Sequence, residues 1–594
     1  MTFNGGTTQT VNHGTNWFEN LTISGAATVA DFQANAIQVY STFSNDGTLA
    51  LAGTQTISFN SGIDTDSGTI RYNGAAAVTI GFTTFYNLEI NGTGSFTINS
   101  NTTINGSLYV NNGTLVVSGA LYTTTPTIEV WGTISGSPGG TISALGGGRI
   151  RPHGNVDLTG ITYNGAGGSV TWNFVGSAPT PTFRSAGAVI ANLRVATGTY
   201  LEGSVRLLDA LTLTGNEASG RAIWDQSAGG TNPTLDFNGQ TVTIQGGSVN
   251  LTNIVTFNGT GSTLRIQSPA ASPTLLTSAG KSFGSIVVDA GAGLTLADNL
   301  IVTGSWTNNG TVDTTSNAAT VTFQPAGGTA TISGNTIFYI FTCNTAGSTL
   351  QFAAGSTQTI SSAWNINGSN GSQIKLISTA QGSQWTINPS ATSNVTWAYV
   401  RDSNVAGANN ITPGAGCTDA GGNKTTGSPR WIFPGGLTFV WNGLSTDWNS
   451  GANWDRGYVP GVPDTANIQS GLDPVLSSNV SVNALRVFSP RVLDLVNYNL
   501  SVTGTLTLDA GATLRLQGQG TQTLSIGSSV FNGLVEYYSG TATGLRAGNS
   551  YASLRFTGPG TWTLNAALTV AGDLTIGAGA ALDVSASNYL VSVG

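Results

Sequence analysis

Apolar residues in this chain come in short period-2 bursts separated by glycine-bearing turns, and that pattern constrains the fold more than any other feature. It is clearest in VTGTLTLDAGATLRL, from Val502 to Leu516. There Leu506 and Leu508, then Leu514 and Leu516, flank the turn at Ala510-Gly511. A near-copy, VAGDLTIGAGAALDV, runs from Val570 to Val584 with Ala578-Gly579 at its turn. Period-2 alternation marks a strand with one buried face, because successive side chains point to opposite sides. Bursts this short predict strands that stack on the next repeat instead of pairing as long hairpins, which is the habit of a β-solenoid.

Repeats extend the pattern along the chain. An F-x-N-L-x-I strand occurs at Phe18 to Ile23 and again at Phe85 to Ile90. Looser versions lie at Ala191 to Val195, Phe283 to Val288 and Tyr551 to Phe556. Thr-Gln-Thr often precedes such a strand, and an Asn/Asp-Gly-Thr turn follows, as in Asn112-Gly113-Thr114 and Asn309-Gly310-Thr311. Asn, Asp and Gly are the residues that tolerate positive φ in tight turns. The shift from Asn20 to Asn87 predicts a unit of about three coils, each about 22 residues long. Around Gly136 to Pro152 the rhythm loosens, which predicts a longer loop or a changed cross-section.

Composition agrees with an elongated all-β chain. Of 594 residues, 82 are glycine, one is Met and only 8% are charged, whereas ordinary domains are roughly 25% charged. Lys, Glu and Leu, the strong helix formers, are too scarce for long helices. Disorder is excluded by 39% hydrophobic content, which includes 13 Trp, 15 Tyr and 22 Phe, too much apolar material to stay solvated. Net charge is −8 and the 19 Lys and Arg are scattered, so there is no basic footprint for nucleic acid or an anionic membrane. No apolar run is long enough to insert in a bilayer. The opening MTFNGGTTQTV has neither a basic nor an apolar signal-peptide region. Two cysteines cannot build a disulfide framework; Cys343 and Cys417 read as unpaired thiols.

Two tandem solenoid units are expected. The first spans residues 1–433, closed by a turn-rich cap over about 394–433 that ends in Trp431 and Phe433; open terminal coils expose core and strand edges, so solenoids need caps. Residues 434–438, beginning Pro434-Gly435-Gly436, read as a hinge. The second unit, 439–594, opens with a Trp-rich start cap containing Trp441, Trp448 and Trp454 and a Pro-rich loop from Val459 to Ala466. Both ends of the chain read as cut within a repeat, the C-terminal one because Leu590 to Gly594 matches Leu500 to Gly504 with no strand after it. A first unit of about 19 coils at a spacing of roughly 4.8 Å would be about 90 Å long.

The F-x-N-L-x-I strands, the N-N-G-T turns and the W-N-G…D-W…N-W-D…V-P…P-D-T-A segment from Trp441 to Ala466 together resemble the repeat regions of large secreted bacterial surface proteins, the filamentous-haemagglutinin-like and autotransporter-passenger adhesins. The resemblance covers nearly the whole chain and is specific to an architecture, not to a ligand. It implies a right-handed parallel β-helix at the bacterial surface or outside the cell. It also implies partners among host or neighbouring-cell surfaces, extracellular glycans, or adjacent repeats of the same long chain.

Candidate chemistry is sparse. Some β-helices cleave polysaccharides with two facing carboxylates; Asp64 and Asp66 have the alternation, but in a Thr/Ser/Gly turn that reads as solvated. Asp157 with Arg149, Arg151 and His153 is the one gathering of acid, base and imidazole in the sequence, and His13 lies far from it. Asp402, Asn404, Asp419 and Asn423 carry oxygens that could ligate a cation, yet read as Asx-turns. No metal or cofactor is expected. Thr320 with Thr322, and Thr505 with Thr507, could belong to a flat hydroxyl array, though outward Thr is also simply a good strand residue. Trp441, Trp448 and Trp454 are the candidates for stacking on sugars, against an aromatic cap that buries them. The function expected is non-catalytic: a stalk segment of a secreted or surface-anchored adhesin, with a glycan-binding or glycan-cleaving β-helix as the alternative.

Overall fold

A computed structural model gives the fold of the chain. It describes all residues except 13, 122, 166, 177–178, 196–202, 217–219, 225–232, 326–327, 391, 426, 434–437, 458, 463, 539 and 585–586. The described chain is all-β, its named strand pairs are parallel, and the strands stack as a β-solenoid of about 26 turns. Among the described residues, helix is confined to one 3-10 turn, Gly451–Asn453.

One turn shows how the sequence makes the coil. Three strands, Ser95–Ile98, Thr102–Ile104 and Leu108–Val110, lie on three successive faces. The next strand, Gly113–Val117, returns to the first face, with Leu115 paired to Phe96. Phe96, Ile98, Ile104, Leu108 and Val110 point inward and are at most 1% exposed, while the intervening Thr97, Thr103 and Tyr109 face outward. Full burial of such side chains contributes roughly 1.5–3 kcal/mol each. The corner at Asn112-Gly113 needs its glycine. Gly113 has φ 75°, and a Cβ there would lie 1.8 Å from the Gly92 carbonyl oxygen of the turn below.

Turn length varies, and this explains the repeats. Paired residues lie 18 apart at Ile70 and Leu88 and 30 apart at Ser204 and Thr234. Ala30, Leu49, Ile70 and Leu88 form one inner column, so three turns separate Ala30 from Leu88. Leu21, the counterpart of Leu88 in the earlier F-x-N-L-x-I strand, precedes Ala30 in the chain, so the repeat is longer than three turns. Leu21, paired with Phe43, accordingly lies one face before the column that holds Leu88. The second repeat obeys the same rule. Leu514, Val535, Leu554 and Leu574 are one column, with three turns between Leu514 and Leu574. Leu574, the counterpart of Leu506 in the near-copy, stands above Leu514 and not above Leu506. Each copy has moved one face around the coil.

Around Gly136 to Pro152 the ladder is continuous, contrary to the loosening expected there. Gly140–Ser143 pairs with Gly113–Val117, and Arg149–Pro152 pairs with Thr127–Val130. The run of glycines from Gly146 to Gly148 is the corner between them.

Charges follow the stack. Of the eleven ion pairs among the described residues, ten join residues on adjacent turns. Arg71 donates to Glu89 at 2.7 Å, and Asn111, one turn further, donates to the same carboxylate at 2.9 Å. Arg515 reaches down to Asp494 at 3.2 Å and up to Glu536 at 2.9 Å.

The chain divides into two compact units: Met1–Asn365 with Ile387–Thr392, and Ile366–Thr386 with Ser393–Gly594. Of the hinge expected at 434–438, residues 434–437 lie outside the described residues. In the second unit, the strand Ala398–Val400 continues the parallel stack through the turn-rich segment, Tyr399 lying between Lys375 and Thr418. Thr438–Val440 begins a further stack that climbs through Thr465–Ile468 and Ala484–Val487 to Leu500–Leu508.

Candidate functional site

The three tryptophans Trp441, Trp448 and Trp454 are 0, 0 and 1% exposed. Their rings contact one another, Trp448 and Trp454 edge-on at 4.8 Å between centroids and Trp441 and Trp454 edge-on at 5.0 Å. Phe439 completes the cluster at 6.3 Å from Trp454. The buried Asn453 organises the segment. Its amide donates to Ser445 Oγ at 2.8 Å and to the Asp447 carbonyl at 2.7 Å, and its Oδ1 accepts from the Ser445 amide at 2.7 Å. The Trp-Asn-Gly…Asp-Trp…Asn-Trp-Asp spacing thus builds a closed aromatic plug with no ring face open to a ligand.

Asp64 and Asp66 sit in one turn. Asp64 accepts from the Asn45 and Asp66 amides and from Ser67 Oγ. Burial would raise its carboxyl, but these bonds and the link to Asp66 hold it below the ordinary value, and Asp66 in consequence is raised. Asp64 thereby ties the turn to Asn45, whose amide bonds the next turn at the Thr69 carbonyl, 3.2 Å away.

The cluster expected at Asp157 is arranged differently. Asp157 pairs with Arg184, 3.6 Å away on the turn above. His153 instead meets Glu129 at 2.8 Å on the turn below, with Arg151 3.7 Å from the same carboxylate. The imidazole stacks on Trp131 at 3.7 Å and 11°. Nothing local in the sequence singles out Glu129; it becomes visible only through its pairing with Arg151 in the ladder.

In the turn-rich segment, Asn423 donates to Asp419 at 2.6 Å and accepts from the Ser403 amide, while Asn404 turns to Thr386 Oγ1 at 3.2 Å. Burial pushes Asp419 above the ordinary carboxyl range. Asp402 lies 3.5 Å from Arg401. Among the described residues there is no group of three or more His, Cys, Asp and Glu side chains placed to hold a metal. The hydroxyl columns are short: Thr322 stands below Thr342 and Thr505 Oγ1 lies 2.8 Å from Ser528 Oγ, but Thr322 stands above Ile301, Thr320 stands below Ile340, and Thr507 lies between Arg486 and Val530. Cys343 and Cys417 are both free and buried, and burial pushes the Cys417 thiol up to about 11.

A groove in the second unit gathers chemistry that no motif announced. Its floor is the outer side of the strands Ile374–Ser378 and Ala398–Val400, where Lys375 pairs with Tyr399. Arg401 continues the floor, and Asp455, Arg456 and Gly457, just after the last tryptophan of the plug, form the opposite wall. This part holds about 450 Å³. A second part of about 360 Å³ shares Gln373 and Arg456 and is lined by Asn370 and Trp397. Each wall residue is anchored. Arg456 Nε donates to the Thr438 carbonyl at 3.0 Å and its guanidinium lies 5.5 Å from the Phe439 ring centre. Asp455 accepts from the Val440 amide at 2.9 Å. Gln373 donates to the Gly416 carbonyl at 2.6 Å and to Thr418 Oγ1 at 2.7 Å. Burial raises the Tyr399 hydroxyl against the pull of Arg401.

Trp397, at the edge of this groove, is one of nine non-glycine residues with positive φ among the described residues. Its φ is 48°, a region costly for a bulky side chain. Its ring lies against Gly416, where a Cβ would come within 2.1 Å of the indole. Any larger residue at 416 would displace the ring.

No family model, curated protein or solved structure matches the chain. No helix among the described residues is long and apolar enough to cross a membrane.

Proposed function

We propose that this chain is a structural stalk or passenger segment of a secreted or surface-anchored bacterial adhesin, and that it is not a catalyst. The observation that carries the reading is the use made of its few charges. Ten of the eleven ion pairs among the described residues clamp one turn to the next, where each adds to the backbone ladder and apolar interior that hold stacked turns together. The carboxylate pair and the acid–base gathering singled out in the sequence follow the same logic. Asp64 fastens a turn to Asn45, and His153 and Arg151 share Glu129 across a turn boundary. Chemistry on a polymer calls for carboxylates facing each other across a cleft, and Asp64 and Glu129 are instead bonded to the neighbouring turn. The Gly-, Thr- and Asn-rich surface suits a segment that presents other parts of a long protein. The test is a polysaccharide panel assayed with the intact chain. No turnover is expected; cleavage abolished by Asp64→Asn, Asp66→Asn or His153→Ala would overturn the stalk reading.

A further inference from the structure

We propose that the groove between Lys375, Tyr399 and Arg401 on one side and Arg456 on the other binds a carboxylated saccharide, a chain of hexuronate-type units. The proposal stands apart from the stalk reading, since a stalk needs no such groove.

Three features carry it. The first is charge. In a chain with 19 Lys and Arg in all, Lys375, Arg401 and Arg456 line one groove. Lys375 has no ion pair among the described residues, and Arg401 meets Asp402 only at 3.5 Å, on a carboxylate that is itself buried. Eight other arginines form ion pairs from turn to turn, whereas Lys375 forms none among the described residues and faces the groove, positioned for an anion from outside. An Arg fork matches a carboxylate in plane and spacing.

The second is the pairing of aromatic and amide groups. Trp397 and Tyr399 project beside Gln373 and Asn370. Ring faces of sugars pack on aromatic side chains while their hydroxyls need directional donors and acceptors, and a site with both suits an amphipathic, hydroxylated ligand. Trp397 shares its positive φ with eight other non-glycine turn residues, and at this corner that conformation seats the indole on Gly416 beside the groove.

The third is shape. Two adjoining parts share Gln373 and Arg456, which suits an extended ligand. Charge density then chooses among polymers. A single-stranded nucleic acid needs a basic track along its backbone, whereas here Asp455 stands in the wall beside Arg456. One carboxylate per sugar ring fits three cations and one anion better than a polyphosphate does.

The experiment titrates the full chain with a short oligogalacturonate, with the same oligosaccharide after its carboxyls are reduced, with citrate, and with a single-stranded oligonucleotide. The oligogalacturonate is expected to bind and the reduced one to bind at least about tenfold more weakly, the loss of one charge-assisted contact or more. Lys375→Ala and Arg401→Gln are each expected to lower affinity about tenfold, and Trp397→Ala to weaken binding of both oligosaccharides. Lys375 is exposed, so its variant folds and keeps the test decisive. Arg265→Ala, in a ladder of the first unit, leaves binding unchanged. Absence of binding, equal affinity for the reduced sugar, citrate binding as tight as the oligogalacturonate, preference for the oligonucleotide, or indifference to Lys375→Ala and Arg401→Gln would each overturn the proposal.

Discussion

On the face that carries Arg71 and Glu89, a cation is met one turn up by an anion, and that anion by Asn111 one turn further. On the face that carries Lys375, the residue one turn up is Tyr399 and the next is Thr418, neither of them an anion. Each face is the outer side of parallel strands whose alternate residues are buried, as Ile70 and Leu88 are in one and Ile374 and Leu376 in the other. The difference teaches that a solenoid does not need its outer charges in order to stack. Where they are paired they clamp neighbouring turns, and where they are not, the ladder tolerates them and leaves them for something else.

The comparison requires that interior and backbone carry both faces, and the largest effect tests this. Leu514 is 1% exposed, between Leu493 and Val535; Leu88 is 0% exposed, between Ile70 and Leu108. Truncating either to Ala should cost about 2–5 kcal/mol through lost burial and a cavity, measured by denaturant unfolding. A cost below about 1 kcal/mol at either site would mean that the columns are not the load-sharing core described.

Next in size is the clamp. Glu89→Ala leaves Arg71 and Asn111 without their shared acceptor, and the Glu89 side chain is only 10% exposed. A loss of about 1–3 kcal/mol is expected, the range for breaking a partly buried charged hydrogen bond. The Arg486–Asp509 pair has the same topology but is 50% and 22% exposed; Arg486→Ala should cost about 0–1 kcal/mol, as surface pairs do. If the two variants cost the same, burial is not what gives a clamp its strength. On the groove face, Lys375→Ala should change stability by no more than about 0.5 kcal/mol, and a larger loss would make Lys375 part of the ladder and end the contrast.

Much of this architecture is legible in the sequence. Bursts such as Leu514 and Leu516 give away the inward face, and Asn112-Gly113 gives away a corner, because period and turn chemistry are local. The drift of the repeat by one face is not legible. Corners vary in length, so the recurrence distances look like whole numbers of turns until the columns through Leu88 and Leu574 are in view. The aromatic plug is half legible: three tryptophans announce a cluster, but only Asn453, bonded to Ser445 and Asp447, shows why it closes. The groove is invisible, because Lys375, Tyr399 and Arg456 are separated along the chain and only folding brings them together; the one local hint, a bulky Trp397 before a β-strand, has no sequence signature. Glu129 escapes for the same reason, since its partners Arg151 and His153 are one turn away.

The smallest effect concerns acid, and its sign follows from the carboxylates that the ladders and turns hold in their charged form. Asp289 is lowered chiefly by Arg265 on the turn below, against slight burial. Asp157 is lowered although burial opposes it, because Thr159 and Arg184 outweigh burial. Asp313 is the strongest case: the Ser316 hydroxyl and amide and the Thr315 amide and hydroxyl bring it from 3.8 down to about 2. A carboxyl that is more acidic folded than unfolded stabilises the fold above the unfolded value, and that contribution disappears as pH falls through the folded value. Stability should therefore decline from about pH 4 toward pH 2, by less than about 1 kcal/mol for Asp313 because water screens this exposed turn. Asp313→Asn should flatten that limb of a stability-against-pH curve and leave the curve above about pH 5 with a constant offset. Lys375→Ala should leave the limb's shape unchanged, since no titrating carboxylate pairs with it. An acid limb that responds to Lys375 and not to Asp313 would place the working charges of this solenoid on the groove face and reverse the comparison.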